Sequence, residues 1–342
     1  MSEKKPVEVL STINLNDAQI NRIRAVEKSV HLTVYSQKAL NEIPAEQWQK
    51  CEVLLTSGRG LPKPEQAPNL KWIQLTFAGV DPIIENPIVR QPGVRLTSAS
   101  GVMVSQMGEY TLMALLMLGH KMPEVIQAQK EARWGNNMSK SLQPIELRGS
   151  TVGIVGYGSI GREVARLLYL LGATVLAAKR DVMAVEDSGY TPAGLGDPLG
   201  NYFRRLYPIE GLKGMLQECD FVVISLPLTS DTRFLFSTEM FDAMKPGAFL
   251  VNISRGDLID EAALIQAVHQ GKVGGAVLDV FSQEPLPAES PLWKVPEIIV
   301  TPHISGASAH LLDDVVDLFA ENLRHYLAGE PLYNLVDPQK GY

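Results

Sequence analysis

Thr151-Val152-Gly153-Ile154-Val155-Gly156-Tyr157-Gly158-Ser159-Ile160-Gly161-Arg162 joins a short apolar run to three spaced glycines and the start of an amphipathic stretch. Thr151–Val155 predicts a buried strand and Arg162–Leu171 a helix, so the glycines fall at a strand-to-helix turn. At such a turn the first glycine bends the chain sharply. The second lets a diphosphate approach the backbone, and the third lets helix and strand pack closely. Exposed amide hydrogens and the positive end of the helix then hold the anion. The glycine spacing is common by itself; its place between a strand and a helix is what predicts a dinucleotide-binding turn, formed by Gly156, Tyr157, Gly158, Ser159, Ile160 and Gly161.

Working outward from this turn, further strands are expected at Thr174–Ala178, Phe221–Ser225, Ala248–Ile253, Gly275–Leu278 and Ile298–Val300, which together read as a doubly wound parallel sheet. Residues 182–207 interrupt the alternation with six glycines and prolines and read as an excursion beside the ligand site. Before the turn, strands at Val7–Ile13, Leu32–Tyr35, Val53–Thr56, Leu70–Thr76 and Val94–Thr97 alternate with helical stretches such as Asp17–Lys28 and predict a second parallel sheet. A broad apolar helix is expected over Val104–Lys121, closed by Pro123 and buried between domains or subunits. A last helix over Ala309–Ala328 ends at Gly329 and Pro331.

The 342 residues, 45% hydrophobic and 20% charged, suffice for two cores. A formal charge of −7 argues against nucleic acid or anionic lipid as a partner. Cys51 and Cys219 are too few for a disulfide framework and lack metal-ligand spacing, which predicts no metal and a reducing, cytoplasmic setting. The opening Met-Ser-Glu-Lys-Lys-Pro lacks the apolar core of a secretory leader, and the longest apolar run, Leu112–Leu118, is far too short for a membrane span.

At the end of the second strand of a dinucleotide fold a carboxylate ordinarily binds the adenosine ribose. Here Thr174–Ala178 leads into Lys179 and Arg180, with Asp181 only after them. Two cations suit a 2′-phosphate and predict NADP(H) as the preferred cofactor, with NAD(H) possible; the other reading leaves both in solvent and gives the ribose to Asp181.

Three polar motifs follow strand ends: Asn252-Ile253-Ser254-Arg255-Gly256, Leu278-Asp279-Val280-Phe281-Ser282-Gln283-Glu284-Pro285, and Thr301-Pro302-His303. Strand C-termini border the ligand crevice in an open α/β sheet. Hydride exchange at C2 of a 2-oxo or 2-hydroxy acid needs a cation for carboxylate and carbonyl, a proton donor, and a group that keeps the donor charged. Arg255, His303 and Glu284 meet these needs in turn. Taken singly, each has a plainer reading, as a surface arginine, a turn histidine and a loop glutamate.

The ordered set of these motifs resembles the D-isomer-specific 2-hydroxyacid dehydrogenase family over nearly the whole chain. The resemblance implies a Rossmann cofactor domain over 102–301 inserted into a discontinuous flavodoxin-like substrate domain, 1–101 and 302–342, and a homodimer. It implies Arg255, Glu284 and His303 as catalytic residues, Asp279 near the nicotinamide carboxamide, and Pro227 and Ser254 in the cofactor site. Amides near Ala78 and Gly79, with Arg255 and His303, would bind the substrate, a small acid such as glyoxylate or hydroxypyruvate. The chain departs from the family at Lys179, where an aspartate is usual, at Ser98 and at Ser225. A nicotinamide-sensing co-repressor and a formate- or phosphite-type dehydrogenase share the fold and stand as alternatives.

Overall fold

Twelve strands, each paired in parallel with its neighbours, form two sheets within residues 5–338, the part of the chain that the computed structural model describes. The chain divides into two units, Met1–Val102 with Ser308–Tyr342, and Met103–Ala307.

In the first unit β1 (Val7–Ser11), β2 (Val30–Val34), β3 (Val53–Thr56), β4 (Trp72–Leu75) and β5 (Arg95–Thr97) lie in the order β2-β1-β3-β4-β5. This is the flavodoxin-like order of open α/β sheets. All four residues of β3 and of β4 are buried, because apolar layers cover both faces. Helix α1 (Asp17–Arg24) starts at a capping box, in which Asn16 and Gln19 each accept the other's backbone N–H. It is shorter than the helical pattern, which continued to Lys28. Helix α2 (Ala45–Lys50) precedes β3.

The second unit opens with α3 (Val104–Gly119), α4 (Met122–Lys130) and α5 (Met138–Ser141). Pro123 does not close the first of these, as expected, but stands in the first turn of α4. A proline costs no hydrogen bond there, since first-turn amides have no intrahelical acceptor.

The sheet of this unit contains β6 (Thr151–Val155), β7 (Thr174–Ala178), β8 (Arg205–Tyr207), β9 (Phe221–Ile224), β10 (Ala248–Asn252), β11 (Val273–Leu278) and β12 (Ile298–Val300). Their order is β12-β11-β10-β9-β6-β7-β8, the doubly wound arrangement with one strand added at the edge. Helices α6 (Ser159–Leu170), α7 (Leu212–Leu216), α8 (Thr238–Ala243) and α9 (Glu261–His269) connect the strands. Phe221 and Val223 point into one core layer and Val222 and Ile224 into the other, the alternation of a sheet buried on both faces. Strand β8 occupies the last three residues of what read as an irregular excursion. Three partly exposed residues at a sheet edge carry no periodic signal.

After Ser308 the chain forms α10 (Leu311–Ala328) in the first unit, ending at Gly329 with φ of 72°. Trp72 on β4 is wholly buried and stacks on Phe319 and Tyr326 of this helix, with ring centroids 5.3 and 5.5 Å apart. Its indole N–H donates to Thr97 Oγ1 at 2.7 Å. Asn322 of α10, also buried, donates to Gln74 Oε1 at 3.0 Å. One large side chain therefore joins the carboxy-terminal helix to the amino-terminal sheet. Trp72→Ala is expected to cost about 3–5 kcal/mol, read as a lowered urea midpoint, while Trp72→Phe retains most of the stacking and much of the stability.

Candidate active site

The glycine turn follows β6. A Cβ at Gly156 would lie 2.7 Å from the carbonyl carbon and oxygen of Ser225, and one at Gly161 would lie 2.2 Å from Gly156 O. Only glycine lets β6 meet the end of β9 at the first position and lets α6 begin this near the strand at the second. A Cβ at Gly158 would meet nothing within 4 Å, so the middle glycine borders open space at the helix start. This geometry fits a dinucleotide diphosphate: close packing behind, open backbone in front, and a helix amino terminus behind Ser159. Ile160 is partly buried against the core, and Tyr157 is buried with its hydroxyl donating to Asp197 Oδ2 at 2.6 Å. Of Tyr157, the main chain and not the ring therefore belongs to the turn's ligand face. Ser225 Oγ donates to Gly156 O at 2.8 Å and braces the turn from β9.

The excursion after β7 is tied back to α6. Arg162, 2% exposed, donates to the carbonyl oxygens of Asp197 and, at 2.7 Å, Val185, and its Nε lies 3.5 Å from Asp187 Oδ2. Glu163 accepts from Gly196 N at 2.6 Å while paired with Arg166. Asp197 accepts from the amides of Asn201 and Tyr202 as well as from Tyr157. Lys179 is drawn into the same structure, its Nζ donating to Ala184 O at 2.5 Å. Burial, with the Arg162 charge nearby, holds the Lys179 ammonium below the usual lysine range. Arg180 is half-exposed, with its guanidinium 4.0 Å from Asp231. Asp181 accepts from Met183 N at 2.9 Å and Ala184 N at 3.4 Å, capping its own turn.

Arg255, Glu284 and His303 follow the carboxyl ends of β10, β11 and β12, three adjacent strands. His303 Nδ1 lies 2.8 Å from Glu284 Oε2. An ionised carboxylate only accepts, so Nδ1 carries the proton. The other oxygen, Glu284 Oε1, accepts from Phe281 N at 3.0 Å, and the Glu284–Pro285 peptide is cis. A Cβ at Gly256 would lie 1.9 Å from the Phe281 carbonyl carbon, so the loop carrying Arg255 presses directly on the loop carrying Glu284. Buried Asn252 fixes that first loop, accepting from Ser254 N and Oγ and donating to Arg255 O. Arg255 Nη1 donates to Ser254 O at 2.8 Å.

His303 adopts φ of 53°, a left-handed conformation held by Asp279. The fully buried Asp279 carboxylate accepts from Thr301 Oγ1, Ile304 N and Ser305 N at 2.6, 2.9 and 2.8 Å. Tyr110 of α3 reaches Thr301 Oγ1 at 2.5 Å, and burial pushes this phenol up to about 12. Pro227 O accepts from Thr232 Oγ1 at 2.8 Å in the loop after β9. Ala78 and Gly79 lie in the first unit, in the loop after β4, where Phe77 O accepts from Ala99 N.

Sequence reasoning gave no place to Glu163, Asp197 or Tyr110 and no role to Arg162, and it quoted Asn252 and Thr301 only as members of their motifs. The one available signal was the charged Arg162-Glu163 pair directly after the last motif glycine, on a helix face expected to pack. Asp197 stands among glycines and prolines, where no spacing reveals a partner.

The profile described as "D-isomer specific 2-hydroxyacid dehydrogenase, NAD binding domain" matches residues 112–305. The chain is 30% identical over 312 residues to glyoxylate/hydroxypyruvate reductase B of Pectobacterium carotovorum, covering 90% of this chain and 92% of that one. It is also similar to the D-isomer specific 2-hydroxyacid dehydrogenase of Xanthobacter autotrophicus Py2 in complex with NADPH and MES, at 28% identity and a TM-score of 0.79, covering 99% of this chain and 100% of that one. The NADPH-dependent glyoxylate/hydroxypyruvate reductase of Sinorhizobium meliloti, in complex with NADP and sulfate, gives 26% identity and a TM-score of 0.77 with the same coverage. With the glycine turn, the doubly wound sheet and the strand-end motifs in place, the chain belongs to the D-isomer specific 2-hydroxyacid dehydrogenase family and is an NAD(P)-dependent oxidoreductase of 2-hydroxy and 2-oxo acids.

Proposed function

We propose that the chain reduces small 2-oxo acids such as glyoxylate and hydroxypyruvate at C2, using NADPH in preference to NADH. The observation that carries the proposal is the His303–Glu284 pair at 2.8 Å, on a loop pressed against the one that bears Arg255. When bound, the dihydronicotinamide supplies the hydride. His303 delivers a proton to the emerging alkoxide through Nε2, because Nδ1 is engaged by Glu284. Glu284 holds Nδ1 and orients the imidazole, itself steadied by Phe281 N. Arg255 holds the substrate carboxylate and polarises the carbonyl. Relatives named as reductases and dehydrogenases of hydroxy acids support this reading over a co-repressor or a formate- or phosphite-type dehydrogenase.

The second unit takes the role of the cofactor domain. The amides from Gly156 to Gly161 hold the diphosphate, and Arg180, assisted by Lys179, meets the 2′-phosphate. Ser254 and Pro227 flank the nicotinamide and adenosine parts. Asp279, assigned to the nicotinamide carboxamide end, acts there by fixing the segment from Thr301 to Ser305, from which its buried carboxylate accepts three hydrogen bonds. The first unit is assigned to substrate binding, through the amides of Ala78 and Gly79. Homodimerisation is proposed through the second unit, where Met113 and Leu116 of α3 remain exposed. Among the described residues no helix is long and apolar enough to cross a membrane. The two free, buried cysteines accord with a cytoplasmic setting.

His303→Ala should lower kcat about 10²–10⁴-fold while leaving the NADPH dissociation constant near its wild-type value. An assay of NADPH oxidation with glyoxylate, hydroxypyruvate and pyruvate reads this, and undiminished turnover excludes the role. Arg255→Ala should both raise the KM for the oxo acid and lower kcat; unchanged kinetics would remove it from the site. For the cofactor, kcat/KM should favour NADPH over NADH by about ten-fold, since exposed charge pairs contribute about 0–1 kcal/mol and those to phosphate stand at the stronger end. Lys179→Ala with Arg180→Ala should abolish the preference, and added salt should weaken it. A wild-type preference for NADH would refute the assignment.

A further inference from the structure

The chain leaves β6 for β7 on one side and later returns to β9 on the other, so β6 lies between β9 and β7 and the winding direction changes between β6 and β9. A ligand of such a sheet lies outside the strand ends at that change. Arg180 is the second residue after β7, and Asp231 stands in the loop after β9. Their side chains nevertheless approach to 4.0 Å. Since β7 and β9 are separated by β6, their ends are about 10 Å apart, and the pair links the loops that follow these two strands.

The neighbouring charges are differently employed. Lys179 is fastened to Ala184 O, and Asp181 is turned to the amides of Met183 and Ala184. Arg180 presents a guanidinium with 51% exposure, facing a carboxylate with 80% exposure that also accepts from Ser230 Oγ at 3.3 Å.

We propose that Asp231 is a specificity-determining residue that competes with the cofactor's 2′-phosphate for Arg180 and so limits the preference for NADP(H). The inference rests on the reading of Arg180 as the phosphate-binding cation. A 2′-phosphate that reaches Arg180 must displace the Asp231 carboxylate or bind beside it, and two anions on one guanidinium repel each other. NAD(H) has no such group and leaves the pair intact. At 4.0 Å between exposed groups the pair is a weak restraint, suited to displacement and not to exclusion.

Dissociation constants of NADP+ and NAD+ measured by calorimetry on the full chain test this without turnover. Asp231→Asn, at an exposed position that keeps side-chain shape, should tighten NADP+ about two- to five-fold, the range of one exposed pair, and leave NAD+ within about 1.5-fold. The gain should vanish in the Arg180→Ala background. If Arg180→Ala does not weaken NADP+, the reading of Arg180 fails and this inference with it. If Arg180→Ala weakens NADP+ but Asp231→Asn changes neither cofactor, or changes both alike, only the role of Asp231 is overturned.

Discussion

The carboxylate of Asp279 has no solvent exposure, and three donors surround it. A buried ion without such partners would cost several kcal/mol, so the segment from Thr301 to Ser305 must fold around it. That segment carries His303, whose left-handed backbone is thereby imposed from outside. Through His303 the constraint reaches Glu284, and through Phe281 and Gly256 it reaches the loop of Arg255. One buried carboxylate at the end of the middle strand of three thus fixes the arrangement of the three candidate groups.

The excursion after β7 depends on a comparable burial. Arg162 sits at 2% exposure with Asp187 close by and two carbonyl oxygens as acceptors, and Asp197 is satisfied by Tyr157 and two amides. Losing one partner of a buried ion pair costs about 3–5 kcal/mol. The glycine- and proline-rich excursion, poor in regular hydrogen bonding, is therefore held by polar anchors on α6. Because Tyr157 lies within the glycine turn and Arg162 directly follows it, the excursion and the turn form one structure. Lys179 is fastened within it while Arg180 faces Asp231, so two adjacent cations have unequal surroundings.

Function in this family asks for a rigid cofactor platform and a hydrogen-bonded acid at its edge, and both follow from a parallel sheet covered on two faces. Covered strands must be apolar along their length, which leaves the polar residues to the loops at their ends. The catalytic candidates fall one after each of three neighbouring strands for that reason. Their spacing along the chain, from 255 to 284 to 303, is the length of the intervening crossovers.

Much of this was legible in the residues alone. Apolar runs of three to seven residues marked eleven of the twelve strands, and the glycine turn, with the motifs around Arg255, Glu284 and His303, identified the family, because strand burial and close backbone approach restrict residue type locally. Gly329 and Pro331 likewise marked the end of the last helix. Other features had no local signature. Strand β8 is short and at an edge, Pro123 suits the start of a helix as well as the end of one, and the excursion's anchors pair residues more than twenty positions apart. The unequal environments of Lys179 and Arg180, and the meeting of Arg180 with Asp231, were decided only by the tertiary structure, since a charge's partner is set by which strand ends become neighbours and not by its place in the chain.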